Sequence, residues 1–466
     1  MTVDLLYAAG IVVVALGIVL SIGLHELGHL VPAKLFGVRV TQYMIGFGRT
    51  IFSRTRGETE YGLKLIPLGG YISMIGMFPP AKADGRRSRL LEPAGTDTAP
   101  EVRPEADVSR ARTASTGFFN TLVQDARDSS REQMGAGDED RAFYRLAVWK
   151  RVVIMLGGPV VNLLLGILFI GIVLVGFGTL QPTTTVASIS QCVVPATAAT
   201  DVCRPGDPRA PAADSGLRPG DVVTAVNGSR VAGWTDVTSV IRRSAGTPLT
   251  LTVARNGASR TVTVTPIRNT IPVADSNGQA LKTGDGKLVT QTVGFIGISP
   301  TEALTPQPVS AVLPAVWRNV TSVAAVIVDL PQRLVGVARA AFGSGQRDPN
   351  GPISVVGVGR VAGEIASASA VPLQSKVASL IGILGSLNIA LFVFNLIPLL
   401  PLDGGHVIGA LWEGLRRSVA KLLRRRDPGP VDTAKLMPLT FAVAILLGGM
   451  SLLLIYADIV RPVTLF

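Results

Sequence analysis

The stretch His25-Glu26-Leu27-Gly28-His29 follows an uncharged apolar run, Leu5–Leu24. A run of about 20 apolar residues is long enough to cross a bilayer as a helix. Residues four apart share one face of a helix, so His25 and His29 can hold one metal ion, with Glu26 beside it as a base that takes a proton from water. Polar residues that face water at a helix end are the alternative. Because ionisable groups at membrane depth usually serve a function, we favour a metal site.

Composition indicates a membrane protein. The chain has 466 residues, of which 47% are hydrophobic and 16% charged, whereas soluble domains carry about 25% charged residues. The net charge is +12, but the sequence contains no basic module with interspersed aromatic residues of the kind that binds nucleic acid. No nucleic-acid partner is therefore expected. Four uncharged stretches are long enough to span a bilayer: Leu5–Leu24, Val152–Leu180, Val377–Leu402 and Leu436–Ala457.

The basic residues beside these spans predict the topology. Lysines and arginines follow the first span, precede the second and fill the loop between the third and fourth. Because such residues favour the cytoplasmic side, both termini are expected outside the cytoplasm, with the long segment between spans two and three. The histidine motif is then expected near the cytoplasmic side.

Residues 37–78 have a strand-like pattern, interrupted at Arg56-Gly57 and at Gly69-Gly70. The pattern predicts β-hairpins. A plain cytoplasmic hairpin is one interpretation. The segment GLKLIPLGGYISMIGM is strongly apolar, which favours a sheet that dips into the membrane toward the metal site. Its edge could bind an extended peptide by strand addition, so Gly69 and Gly70 are candidate substrate-binding residues.

The segment between spans two and three contains SGLRPGDVVTAVNG, whose Asn227-Gly228 pair is a strong hairpin signal. This motif resembles that of PDZ domains, and the strand–helix–strand order agrees. The resemblance implies a peptide-binding fold. The region around Cys192–Ala213 departs from the usual carboxylate-binding loop, so a steric filter for bulky substrates is an equal alternative. Cys192 and Cys203 can form one disulfide or remain free thiols.

The third span ends in NLIPLLPLDGGH, where Asp403 is our candidate for the third metal ligand. A hydrolytic zinc site needs three protein ligands and one open position. His406 is a competing third ligand, and a helix cap is a further alternative role for Asp403. The amides of Asn395 and of Asn162, in the second span, are candidate substrate-binding or site-supporting groups.

HELGH, GGPVVN and NLIPLLPLDGG together resemble the site-2 protease family of intramembrane zinc metalloproteases, in its bacterial branch. The resemblance implies one Zn²⁺ held by His25, His29 and Asp403, with Glu26 as the catalytic carboxylate and Asn395 near the substrate. It also implies a single-span membrane substrate resembling an anti-sigma factor, already trimmed by a site-1-type protease. A transporter and a non-enzymatic scaffold are the rival functions, although we find no internal repeat that would favour a transporter.

The predicted fold is a polytopic α-helical membrane protein with four transmembrane helices, a membrane-associated β-hairpin sheet and one extracytoplasmic PDZ-like α+β domain. Its predicted segments are a first span with the zinc motif at 1–36, the β region at 37–78, a largely disordered cytoplasmic insert at 79–144, a second span at 145–181, the PDZ-like domain at 182–270, an extension with an amphipathic segment on the outer membrane surface at 271–375, a third span at 376–415, a basic loop at 416–435, and a fourth span at 436–466.

Overall fold

The computed structural model describes residues 2–79, 135, 137–194, 203–273, 280–281, 283, 287–343, 347–348 and 351–463. Most of the insert predicted at 79–144 lies outside these residues. The chain divides into two compact units, which are Met1–Gly176 with Pro308–Phe466, and Phe177–Gln307.

The first unit is mainly helical. Its helices are α1 (Thr2–Leu35), α2 (Val148–Gly171), α5 (Val312–Val328), α6 (Leu330–Phe342), α7 (Val355–Ser367), α8 (Leu373–Asn395), α9 (Asp403–Leu422) and α10 (Met437–Val460). The helices α3 (Pro211–Asp214) and α4 (Trp234–Arg243) belong to the second unit. Helix α1 packs against α2 and α7, and α2 also packs against α8 and α9.

Five helices of the described chain are long and apolar enough to cross a membrane. Four of them coincide with the predicted spans. The fifth, Val309–Val328, lies in the segment that we predicted to be amphipathic on the outer surface, and a second helix, α6, follows it directly. The count of four spans is therefore not confirmed.

The predicted third span, 376–415, is not one helix. Helix α8 ends at Asn395 and α9 begins at Asp403, because the Pro398 and Pro401 rings between them remove amide donors and disfavour helical geometry in the preceding residue. The loop predicted at 416–435 is wrong in its first part, since α9 continues to Leu422. The break makes Asp403 the first residue of a separate helix.

A small sheet lies beside the end of α1. It consists of β1 (Val40–Arg56) and β2 (Thr59–Met74), and its register divides these into four short strands. Residues 40–45 pair with 70–74, residues 50–56 pair with 59–64, and residues 42–47 also pair with 60–66. The segment 70–74 is therefore an edge strand. A buried apolar cluster joins the sheet to helices α1 and α2: Leu30, Ala33, Val38, Val40, Met74, Phe143, Ile154 and Met155.

The second unit is an α+β fold that begins before and ends after the predicted 182–270 boundaries. Its elements are β3 (Thr179–Ile189), α3 (Pro211–Asp214), β4 (Val222–Val226), β5 (Ser229–Arg230), α4 (Trp234–Arg243), β6 (Leu249–Arg255), β7 (Ala258–Val264), β8 (Ile267–Pro272), β9 (Thr290–Phe295) and β10 (Ile298–Thr305). The main sheet has the order β10-β3-β4-β6-β7, and β8 pairs with β9. Cys192 and Cys203 form a disulfide, which decides between the two alternatives.

Candidate active site

The site begins where α1 crosses α2 with almost no space between the backbones. A Cβ atom added at Gly28 would collide with the Gly157 carbonyl oxygen, and one added at Gly157 would collide with that of Gly28. A Cβ atom at Gly158 would collide with the His29 Nε2 atom. Small residues allow membrane helices to approach this closely. The three glycines therefore make the room in which the histidine rings stand.

Three ligand atoms form a nearly equilateral triangle. The Nε2 atoms of His25 and His29 are 3.3 Å apart, and each lies 3.4 Å from the Asp403 Oδ2 atom. Tetrahedral zinc with bonds of about 2.0–2.1 Å would separate neighbouring ligand atoms by about 3.3–3.4 Å. The Asp403 Oδ2 atom is also buried without a hydrogen-bond partner. A cation at the triangle would satisfy it, so the three residues fit a zinc ion.

The rings are held through their other nitrogens. The His29 Nδ1 atom lies 2.7 Å from the Ile154 carbonyl oxygen and donates to it, which leaves Nε2 free to bind a metal. The His25 Nδ1 atom lies 3.0 Å from the Asn162 amide. The Asn162 Oδ1 atom is buried without a partner, and amide orientation is inferred from the hydrogen-bond network. Turning the amide over lets Oδ1 accept the Nδ1 proton, the usual support for a metal-binding histidine.

Glu26 lies beside the triangle and is 8% exposed. It lines a cavity of about 220 Å³ together with all three candidate ligands and part of the edge strand: His25, His29, Asp403, Gly70, Tyr71, Ile72, Met74, Met77, Met155, Pro401 and His406. A Cβ atom at Gly70 would lie 2.8 Å from the Glu26 Cγ atom. The glycine therefore keeps open the space between the carboxylate and the edge strand.

The remaining predicted residues have different surroundings. Asn395, the last residue of α8, is half-buried and does not belong to the described lining of the cavity, so its substrate contact stays a prediction. Gly69 has a φ of +133°, and a Cβ atom added there would collide with the Phe47 ring. These features favour a role in the turn of the chain at Gly69. The Asn162 contact favours support of His25 over direct substrate contact. His406 lines the cavity but is not in the described ligand cluster, which favours Asp403 as the third ligand.

A buried ion pair that the sequence did not predict lies behind the site. Arg151 of α2 donates to both carboxylate oxygens of Glu413 in α9, at 3.1 and 2.5 Å. Glu413 also accepts from the Arg417 guanidinium at 3.0 Å and from the Val431 amide at 2.9 Å. The Glu413 side chain is 1% exposed. In the sequence, Arg151 was indistinguishable from the other basic residues that flank the spans.

A second missed contact joins the sheet to the helix that carries the motif. The Tyr43 hydroxyl donates to the Gly23 carbonyl oxygen at 2.7 Å. Gly23 lies two residues before His25, so this bond fixes the sheet against the last turns of α1. The alternating pattern of β1 predicted a strand but carried no signal of this contact.

Comparisons with known proteins agree with this geometry. Peptidase family M50 matches residues 13–425. The chain is 31% identical over 473 residues to the zinc metalloprotease Rip1 of Mycobacterium tuberculosis, covering 99% of this chain and 100% of that protein. It is 26% identical to the metalloprotease MmpA of Caulobacter vibrioides, with 87% of each chain covered. It is 25% identical to the regulator of sigma-W protease RasP of Bacillus subtilis, covering 84% of this chain and 87% of that protein.

The matched residues, 13–425, include the complete ligand triangle and Glu26. Five apolar helices of spanning length occur in the described chain, and a transporter or scaffold has no need for a carboxylate beside three convergent side chains that could hold a metal ion. The chain therefore belongs to peptidase family M50, the site-2 protease family, and is a multi-pass membrane zinc metalloprotease.

Proposed function

We propose that this metalloprotease cuts the membrane-spanning segment of single-span proteins, with an anti-sigma-factor-like protein as the substrate class. The observation that carries the proposal is the placement of the ligand triangle. Two ligands lie within a helix of spanning length and the third follows the turn after another such helix. The Bacillus subtilis relative is named a regulator of sigma-W protease, which supports a substrate in sigma-factor signalling.

The residues divide the chemistry between them. His25, His29 and Asp403 would hold Zn²⁺, which polarises a carbonyl and makes water more acidic when bound in such a site. Glu26 takes the proton of the attacking water and delivers it to the leaving nitrogen as the new C–O bond replaces the C–N bond. The Asn162 amide and the Ile154 carbonyl keep both imidazoles oriented during this cycle.

The substrate needs an extended stretch at the scissile bond, because a helical carbonyl is already hydrogen-bonded and shielded. The edge segment 70–74 lines the same cavity as Glu26 and belongs to a sheet edge. We propose that the unwound substrate adds to this edge as a further strand. Gly70 would then let the substrate backbone approach the catalytic carboxylate.

We further propose that Phe177–Gln307 is a PDZ-like domain outside the cytoplasm, between the second and third predicted spans. A groove of about 200 Å³ between α4 and the β9–β10 turn supports peptide binding: Trp234, Thr238, Ile241, Arg242, Gly294, Phe295, Ile296, Gly297 and Ile298. It would admit substrates already shortened by a site-1-type protease, either by binding the new terminus or by excluding bulky ones. With the four predicted spans crossing the membrane, both termini would lie on the same outer side.

The test compares Glu26→Gln with Asp403→Ala in the full chain. Glu26→Gln is expected to retain one zinc per chain and to lose at least about 100-fold in cleavage of a single-span substrate. Asp403→Ala is expected to lose zinc as well. Membrane proteomics of cells with Glu26→Gln should reveal accumulated single-span fragments. Retained cleavage in Glu26→Gln, or accumulation of soluble proteins only, would refute the proposal.

A further inference from the structure

Helix α9 presents an apolar stripe along one face. Its members recur at spacings of three or four residues, and each is between 44% and 82% exposed: Ile408, Leu411, Trp412, Leu415, Val419 and Leu422. Such spacing places all of them on one side of a helix. Contiguous apolar surface of this kind marks a binding face.

The opposite face of α9 is fixed to the protein. Ala410, Glu413 and Ala420 are buried there, and Glu413 forms its ion pair with Arg151 of α2. The buried bidentate pair sets the rotation of α9 about its axis. The apolar stripe therefore faces away from the described part of the chain.

Charge and chain continuity indicate what covers the stripe. Helix α9 is not among the described helices with spanning composition, yet it follows α8 after a short turn. Basic residues crowd its C-terminal end: Arg416, Lys421, Arg424, Arg425 and Arg426. An apolar face with an interfacial tryptophan and adjacent basic residues is typical of helices that lie in the surface of an anionic membrane.

We propose that α9 lies in the cytoplasmic leaflet of the membrane, with its basic end bound to anionic phospholipid headgroups, and that this seating positions Asp403. Asp403 is the first residue of α9, and a helix transmits a shift along its length as a rigid rod. Anionic lipid therefore strengthens metal binding by holding the third ligand against the two histidines. The proposal rests on the topology proposed above.

Depth-dependent quenching tests the seating without any need for cleavage. The full chain is placed in phosphatidylcholine vesicles that contain about one-third phosphatidylglycerol, with bromine atoms at a shallow or a deep position of the acyl chains. The fluorescence of Trp412 is obtained as the difference between the wild type and Trp412→Phe. Stronger quenching by shallow than by deep bromine is expected. An unquenched Trp412 would overturn the proposal and would indicate a protein partner on the stripe.

The link to the metal is tested with the triple variant Arg424→Gln, Arg425→Gln, Arg426→Gln. Its matched control is Arg230→Gln, Arg243→Gln, Arg260→Gln, which removes the same charge from exposed residues of the second unit. The wild type and the control variant are each expected to bind zinc about tenfold more tightly in anionic vesicles than in pure phosphatidylcholine vesicles. The α9 variant should lose this difference.

Equal zinc affinity in both vesicle types for the wild type would overturn the coupling between lipid and Asp403. Loss of the lipid effect in both triple variants would also overturn it, because the effect would then depend on net charge alone. Zinc affinity and tryptophan quenching are measured without substrate. A failure of the proposed substrate class therefore shows only in the cleavage assay, and the two proposals can fail separately.

Discussion

Helices α1 and α9 bring ligands to the same triangle by opposite means. At the α1–α2 crossing, Gly28, Gly157 and Gly158 remove side chains so that the backbones touch and two rings fit. At α9, by contrast, the Glu413 carboxylate is buried against Arg151 and fixes the helix that begins with Asp403. The position of the histidines depends on glycines without side chains, and the position of Asp403 depends on a buried ion pair.

Helices α1 and α9 are therefore sensitive to different substitutions. A backbone crossing cannot move aside for an added methyl group, since both sides are main chain. A buried ion pair tolerates motion but not the loss of one partner, because the remaining charge is then buried without compensation. The following substitutions distinguish the two kinds of support, in order of decreasing effect.

Gly158→Ala should nearly eliminate the metal site. Its new methyl group would collide with the His29 Nε2 atom, so the ring must turn away from the triangle. We expect loss of bound zinc and a fall in cleavage of at least about 100-fold. Zinc analysis of the purified chain and a cleavage assay measure both effects. Gly382→Ala on α8 is the matched control, since nothing lies within 4 Å of a Cβ atom there; full zinc content in Gly158→Ala would show that the histidine rings do not depend on the space left at Gly158.

Glu413→Gln should weaken the packing of α9 against α2. It leaves the Arg151 guanidinium buried without its charge partner, a loss that typically costs about 3–5 kcal/mol. We expect lower thermal stability and cleavage reduced about tenfold or more, with His25 and His29 still in place. Glu364→Gln is the control, because its i,i+4 pair with Arg360 is part-exposed and should matter little. If Glu413→Gln and Glu364→Gln have the same thermal stability and cleavage activity, the buried pair does not hold α9 in place.

Asn162→Leu should weaken zinc binding without changing the fold. The substitution removes the acceptor for the His25 Nδ1 proton, and such support contributes about 10–100-fold to metal affinity. Competition with a chelator of known strength gives the affinity. Asn162→Asp keeps an acceptor and is expected to recover most of it. An unchanged affinity in the leucine variant would instead favour the alternative that Asn162 contacts substrate.

Asp221→Asn should affect only the second unit. The Arg255 guanidinium, bonded at 2.6 Å, lowers the pKa of Asp221 below an ordinary value of about 3.9. The ion pair therefore stabilises the fold fully at pH values above the ordinary pKa of Asp221. This stabilisation disappears as the pH falls through the lowered pKa. At pH 7 we expect the wild type to melt about 5 °C higher than the variant, followed by Trp234 fluorescence.

The difference in melting temperature should shrink as the pH is lowered below about 4. Cleavage by Asp221→Asn at neutral pH is expected to equal that of the wild type, since neither Asp221 nor Arg255 belongs to the described lining of the cavity beside Glu26. A difference that persists unchanged in acid would show that the ion pair is not its cause.

Much of the candidate site could be predicted from local sequence patterns. Helical spacing predicted that His25 and His29 share one face, and the resemblance to the site-2 protease family implied the roles of His25, His29 and Glu26. Uncharged runs of spanning length predicted four of the five apolar helices, because bilayer thickness sets their length. Asp403 was predictable since it is an acidic residue beside a break that Pro398 and Pro401 impose.

The contacts that hold these residues together are visible only in the folded chain. The Arg151–Glu413 pair joins positions 262 residues apart, and no local pattern records such a distance. The Asn162–His25 contact and the glycine crossing likewise depend on how two helices are placed against each other. The rotation of α9, which exposes its apolar stripe, follows from the buried pair on the other face. Long-range packing sets these features, because they belong to pairs of elements rather than to any single stretch of chain.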